Sequence, residues 1–333
     1  MAAVDGLDAL LGSRVALRHR IGERDGRPLF TDVVGELTEG GERDGVATVV
    51  VATRRGPVRV DKEAVVAVRA VPPAQPKRPS WSVVGRLEVL CADAWPAQAD
   101  RPLGAWRLRA AGGFTGRANA ALAAGDPGVP IPAALDAVRA FAAEHGITPR
   151  VQAPMGSPWS KAVAGEGWVL DAGHAAGAEV AVLVADLDRF AGADPAGVVL
   201  ADRASDDWWE AALGDSPTPA QRHVLEPGPD GPSTAFGLAR AGGSGDPAGV
   251  IRAAVVADHL HLSRLAVAPA ARRTGVATAL TAAAARWGRE HGARWAVLQV
   301  AVHNTEALAF YDALGATEHH RYHYLVPPER NQV

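Results

Sequence analysis

The sequence predicts an α/β protein built on a mixed sheet and preceded by a small all-β module. Three observations predict it. Residues 13–71 are a succession of short period-two and β-branched runs. From residue 81 onward, strand patterns alternate with helix patterns. The order strand, long helix, strand, short helix, strand then occurs twice, over 81–190 and over 198–326, which reads as a degenerate internal duplication. A chain of 333 residues also exceeds what one core usually serves. The expected divisions are a barrel over 1–72, a linker over 73–80, a first α/β lobe over 81–195 and a second over 196–333.

In chain order, Arg14–Arg18 and the stretch around Val33–Leu37 alternate apolar and polar residues. Val46–Thr53 is a β-branched run, and Gly56-Pro57 marks a turn before Val58–Val60. Pro72 to Pro79 reads as a stiff, extended linker. Beyond it, Trp106–Arg109 is a strand. Pro132–His145 is a helix with Leu135, Val138, Phe141 and Ala142 on one face and Gly146 past its end. Arg150–Gln152 is a short strand, Trp159–Gly165 a short helix and Val180–Leu187 a buried strand. In the second block His259–Val267 is a strand. Val276, Leu280, Ala283, Ala284 and Trp287 line a helix that Gly292 ends. Trp295–Val302 is an apolar strand broken only by Gln299, Thr305–Leu314 is a helix capped by Asn304 and ended by Gly315, and Tyr322–Leu325 is a final strand.

Composition narrows the function. The hydrophobic share of 48% and charged share of 21% are those of a globular protein, and no run reaches the apolar length of a membrane span. The net charge of -3 and the nearly balanced barrel argue against a nucleic-acid or lipid surface. A single cysteine, Cys91, excludes an internal disulfide and a multi-cysteine metal site, and it is expected as a small buried side chain. Met1 to Asp5 lack the basic and apolar regions of a secretory signal, so the cytoplasm is the expected location.

The chemistry concentrates in Val267-Ala268-Pro269-Ala270-Ala271-Arg272-Arg273-Thr274-Gly275-Val276-Ala277. A strand ends, a loop carries Arg and Gly, and a helix begins. Unpaired N–H groups at a helix N-terminus and the positive end of its dipole attract phosphate. Gly275 lets the backbone come close, and Arg272 and Arg273 add charge. This is a pyrophosphate cradle without the Gly-Lys-Ser/Thr of a P-loop.

On these residues the sequence resembles the GNAT superfamily of N-acetyltransferases. The superfamily's Arg/Gln-x-x-Gly-x-Gly/Ala motif stands as Arg272-Arg273-Thr274-Gly275-Val276-Ala277. Its second signature stands as Asn304, then Tyr311, then Gly315-Ala316. The resemblance covers about 198–326. It implies acetyl-CoA as cosubstrate, no metal, and direct acetyl transfer to an unidentified primary amine. The amides of Arg273 to Ala277, with Thr274, Gly275 and Val276 between them, would hold the CoA pyrophosphate. The backbone of Leu265, Ala266 and Val267 would face the pantetheine and polarise the thioester. Asn304 would contact the pantetheine, and Tyr311 would protonate the leaving thiolate.

For the base that deprotonates the amine, His259, His261, His303 and Glu306 are candidates, with His261 and Glu306 ranked first. Upstream, Trp106–Arg109, Gly112–Asn119 and Gly125-Asp126-Pro127-Gly128 resemble the opening half of two-lobed GNAT proteins. The Gly-Asp-Pro-Gly at the cradle position lacks the Arg-x-x-Gly-x-Ala pattern, so this lobe is expected as a scaffold walling the cleft, with Arg117 and Asn119 as residues that could face it. The N-terminal barrel resembles the SH3-like appendage of such proteins. The competing readings are a catalytically idle CoA-binding scaffold and an interaction protein working through the barrel. A narrower variant acetylates a sugar-cysteine amine. A monomer or a homodimer is expected.

Overall fold

The computed structural model describes residues 7–43, 45–53, 56–71, 79–195, 197–243 and 245–328, and most of the expected linker lies outside them. The chain divides into two compact units, 1–77 and 78–333.

The first unit contains β1 (Arg14–Arg24), β2 (Arg27–Arg43), β3 (Val46–Thr53), β4 (Gly56–Asp61) and β5 (Val65–Ala70). They pair antiparallel in the order β4-β3-β2-β1-β5. Period-two patterning turns Val15, Leu17, Leu37, Val49, Val51 and Val60 inward onto one small core with Leu7. Gly35 is required in β2, because a Cβ there would lie 2.2 Å from the Ala52 carbonyl oxygen. This is the small antiparallel module that the alternating runs predict.

The second unit opens with α1 (Trp81–Asp93), β6 (Ala99–Leu103), β7 (Trp106–Ala110) and β8 (Ala121–Ala123). It continues with α2 (Ile131–Glu144), β9 (Val151–Pro154), α3 (Pro158–Gly165), β10 (Val169–Leu170) and β11 (Glu179–Asp186). Then come β12 (Val198–Ala201), α4 (Asp206–Leu213), α5 (Pro219–Leu225), β13 (Ser233–Arg240), β14 (Pro247–Val256) and β15 (His259–Val267). Last are α6 (Val276–Glu290), β16 (Trp295–Ala301), α7 (Thr305–Ala313) and β17 (Thr317–Val326). The repeated cadence is real. Each lobe runs through antiparallel strands into a parallel pair bridged by a long helix, β8 with β9 across α2 and β15 with β16 across α6.

The two lobes share one sheet, in the order β12-β13-β14-β15-β16-β11-β17-β9-β8-β7-β6, with β10 beside β17. The last strand of the first lobe, β11, lies between β16 and β17 of the second. The last strand of the second lobe, β17, lies between β11 and β9 of the first. Each lobe therefore lends its final strand to the other.

Alternation sets the two faces of the second lobe. Ala235, Ile251, Leu260 and Leu262 pack under α6 with Leu280 and Ala284. Phe236 and Val250 face the other way, against Trp208 and Trp209 of α4, Val224 and Leu225 of α5, and Trp95 just beyond α1. By the same alternation Arg252, His261 and Ser263 lie on this second face. Cys91 lies on the buried face of α1, where burial raises its thiol pKa well above the usual range.

Candidate active site

The parallel pairing of β15 and β16 runs from His259 opposite Trp295 to Leu262 opposite Leu298 and stops there. On the other edge of β15 the register to β14 slips, so that Ile251 faces two residues, Arg264 and Leu265. Arg264 takes up that bulge with φ of 54°. The bulge bends β15 away from β16, and residues 263–267 keep a backbone edge unpaired with any strand of that side. A cleft of about 350 Å³ opens there, walled by Ser263, Arg264, Leu265 and Ala266 from β15, by Gln299, Val300 and Ala301 from β16, and by Asn304 and Tyr311.

Beyond β15 the chain makes a short 3-10 turn at Pro269–Ala271 and enters α6. Arg273 and Gly275 are both left-handed, with φ of 62° and 90°. A non-glycine residue held there is uncommon and marks backbone shaped for a purpose. The first helical bond, Ala279 N–H to Gly275 O, leaves the amides of Val276, Ala277 and Thr278 without an acceptor in the helix. Thr274 Oγ1 donates to Ala271 O at 2.7 Å and ties the loop from within. Arg272, Arg273, Thr274 and Gly275 are exposed, and Val276 and Ala277 are half-buried. A Cβ on Gly275 would meet nothing within 4 Å, so the space in front of this loop is open for a ligand.

Within the cleft, Asn304 Oδ1 accepts the Ala307 N–H at 3.1 Å, so the residue caps α7 and also lines the cleft. Tyr311 is 6% exposed and stands between Phe190 and Phe310. Its phenol forms no hydrogen bond among the described residues, and burial raises its pKa, so it stays protonated.

The two candidate bases sit elsewhere. Glu306 is exposed on the first turn of α7, outside the cleft walls. His261 is fully buried beneath the cleft floor, and neither ring nitrogen has a hydrogen-bond partner. Burial first, then Arg117 and Arg252, push its pKa well below the imidazole range, against an opposing pull from Gln299. Of the others, His259 pairs with Asp258 at 2.8 Å, and His303 is exposed.

The first lobe supplies a residue to this cleft. Arg117 lies in its wall and donates to Gln299 Oε1 at 2.8 Å, across 182 residues of sequence. Asn119 has a different task. Its Oδ1 accepts from Ala111 and Gly113 N–H and its amide donates to Phe114 and Thr115 carbonyls, which fixes the loop that presents Arg117. The signal for this contact was Gln299 itself, the lone polar residue in an apolar strand; its partner could not be read from spacing.

The equivalent loop of the first lobe is used internally. Asp126 Oδ1 accepts the Gly128 N–H at 2.8 Å, and Asp126 O accepts from Ala105 N–H. Proline at 130 and 132 removes further donors. Behind the loop, buried Arg109 donates to Gln152 at 2.8 Å, and Gln152 and His320 both bond the fully buried Glu88.

A family model described as "Probable histone acetyltransferase Rv0428c C-terminal" matches residues 82–325. The chain belongs to the Rv0428c family. The family's N-terminal Sm-like domain matches residues 9–69, the stretch of the five-stranded sheet. Comparison with curated proteins gives no match. Among solved structures, a GCN5-related N-acetyltransferase from Kribbella flavida is 18% identical over 75% of this chain and 97% of its own, with a TM-score of 0.55. A tandem GNAT protein from the clavulanic acid biosynthesis pathway is 16% identical over 75% of this chain and 88% of its own, with a TM-score of 0.47. A GCN5-related N-acetyltransferase from Sphaerobacter thermophilus is 20% identical over 53% and 58%, with a TM-score of 0.39. The Kribbella likeness shows the fold. The Rv0428c family member described here thus has a two-lobed GNAT fold in an acetyltransferase family, preceded in sequence by a small β module.

Proposed function

We propose that the second lobe is an acetyl-CoA-dependent N-acetyltransferase that acylates a primary amine by direct attack. The observation that carries the reading is what β15 joins: its unpaired edge lies in a cleft that also holds Asn304 and the protonated phenol of Tyr311, and its C-terminal end leads through one short turn into the exposed, cationic N-terminus of α6.

The residues divide the work. The amides of Arg273 to Ala277 would hold the pyrophosphate, with Arg272 and Arg273 adding charge. The free edge over Leu265, Ala266 and Val267, with Asn304, would align the pantetheine, and its N–H groups would polarise the thioester carbonyl. Acetyl-CoA supplies the activated acetyl group. Tyr311, kept neutral by burial, would give its proton to the departing thiolate. Among the described residues lining the cleft none is Asp, Glu or His. The amine is instead driven toward its free base by the arginines around it, since like charge disfavours the protonated form. A water chain would carry the proton away. A reading as an idle CoA-binding scaffold draws on the same missing base. Cytoplasmic location follows from the use of acetyl-CoA, and recovery of the protein in a membrane or secreted fraction would count against it.

The deciding experiment is calorimetric titration with acetyl-CoA, followed by CoA release in the presence of an amine panel. One saturable site per chain with amine-dependent release is expected. Tight binding without release on any amine would favour the scaffold, and two sites per chain would show that the first lobe binds CoA as well.

A further inference from the structure

The cleft floor holds an excess of positive charge without a counter-ion. Arg117 and Arg264 line it, Arg252 is buried behind it, and none of the three forms an ion pair among the described residues. Arg252 is fully buried and donates only to the carbonyls of Leu225, Ala94 and Val224. Arg264 lines the cleft and donates to the Ala212 carbonyl. Arg117 lines the cleft and bonds the neutral Gln299. The guanidiniums of Arg117 and Arg252 both lie against the Trp95 ring, 4.7 and 5.2 Å from its centroid. Burial and Arg117 lower the Arg252 pKa to about 9, and the same two causes lower that of Arg264. The cations thus press on one another.

Buried charge of one sign is costly unless an opposite charge meets it. Two further polar groups here are also unanswered. Ser263, the cross-strand partner of Arg252, is 8% exposed, and its hydroxyl has no hydrogen-bond partner. Both nitrogens of fully buried His261 have none either. Arg117 is oriented before any ligand arrives. Gln299 holds one terminal nitrogen and the Trp95 face holds the plane, which leaves the rest of the fork free for a planar anion.

We infer that the acceptor is a small molecule carrying a carboxylate beside its amine, and that Arg117 and Ser263 bind the carboxylate on the floor of the cleft. The inference rests on the acetyltransferase reading and narrows it. A carboxylate meets the fork of Arg117, accepts from Ser263, and offsets Arg252 and Arg264. A lysine side chain without such a group would bring another cation to three arginines. Arg117 acts as a specificity residue contributed by the lobe whose own loop is closed by Asp126.

The test uses matched pairs, each an amino acid and the amine it gives on decarboxylation: ornithine and putrescine, tyrosine and tyramine, glutamate and 4-aminobutyrate. A histone-like lysine peptide is included. The intact protein should favour the members with a carboxylate beside the amine. In Arg117→Met the ratio of kcat/KM within a preferred pair should fall by about 10- to 100-fold, mainly through KM. The dissociation constant for acetyl-CoA, measured by calorimetry, should stay within twofold. A second arm needs no turnover: CoA-saturated protein is titrated with N-acetyl amino acids and with N-acetyl amines. Binding of the first set only, weakened in Arg117→Met, supports the inference. Absence of acetyl transfer with that binding intact would count against the acetyltransferase reading alone. Equal or better turnover of decarboxylated amines or of the peptide, or a ratio unmoved by Arg117→Met, overturns it.

Discussion

Gly275→Val separates the cradle's conformation from its contacts with a ligand. Gly275 has φ of 90°, and its Cβ position is open, so valine meets no clash and only backbone strain. A left-handed L-residue costs about 1–2 kcal/mol, and a β-branched one lies at the upper end. For a unit of this size the melting temperature should fall by roughly 4–8 °C. The effect on CoA should be far larger. Relaxing the strain turns the amides at the start of α6, and the valine side chain occupies the space in front of them. Losing two charge-assisted amide bonds, at about 1.5–3 kcal/mol each, weakens affinity on the order of 10²- to 10⁴-fold. Gly292→Val is a matched control. That residue has φ of 87°, is equally open, and stands at the opposite end of the same helix. It should lose similar stability and keep its CoA affinity. The assay is calorimetric titration of both variants beside differential scanning calorimetry. If Gly275→Val binds CoA as tightly as Gly292→Val, the cradle does not hold the pyrophosphate.

Tyr311→Phe should lower kcat by about 10²-fold or more while the acetyl-CoA dissociation constant stays within twofold, because the hydroxyl has no structural partner to lose; equal losses in rate and affinity would make Tyr311 a packing residue. His261 carries a stability prediction. Its folded pKa is lowered, so as pH falls through the ordinary value of 6.5 the unfolded chain takes a proton that the folded chain refuses. Stability should therefore fall on the acid side, with His261 contributing up to about 1.4 kcal/mol per pH unit. Lowered values at His174, His319 and His323 act in the same direction. Guanidinium midpoints at pH 7 and 5.5 should converge in His261→Gln relative to the parent chain, and parallel acid slopes in the two would show that His261 is not the group held neutral.

The sequence signals that succeeded are local ones. The apolar stripe of α6 and Gly292 at its end, the Asn304 cap and the Pro-led start of α2 each depend on neighbours within a few residues, and the structure has them within a residue or two. The cradle was legible for the same reason, since a loop between a strand and a helix is a local object. α1 and the β13–β14 hairpin were not marked. α1 opens on Trp81-Ser82-Val83-Val84 with Trp81 and Val83 exposed, so its apolar stripe is blurred, and the hairpin closes through Ala241–Gly243 rather than a two-residue turn. The exchange of β11 and β17 was out of reach, because period-two patterning fixes which face a strand buries and says nothing about which strand lies beside it. The burial of His261 belongs to the same class. Its position on the strand could be counted, but Trp95 and Arg117 close over it from elements far away in sequence, joining Arg252 of the adjacent strand β14.

The strand exchange also sets a schedule for the ribosome. The edge of β9 that pairs with Tyr322 to Leu325 waits for residues made about 170 positions later. At roughly 5–20 residues per second, that edge is exposed for about 10–30 s after it leaves the exit tunnel. An open strand edge is a template for pairing with another nascent chain. The first lobe therefore cannot complete its sheet until the second lobe has been made, and the chain passes through a half-built sheet. Synthesis rate and chaperone supply should govern the soluble yield of this protein more than the stability of the finished fold does.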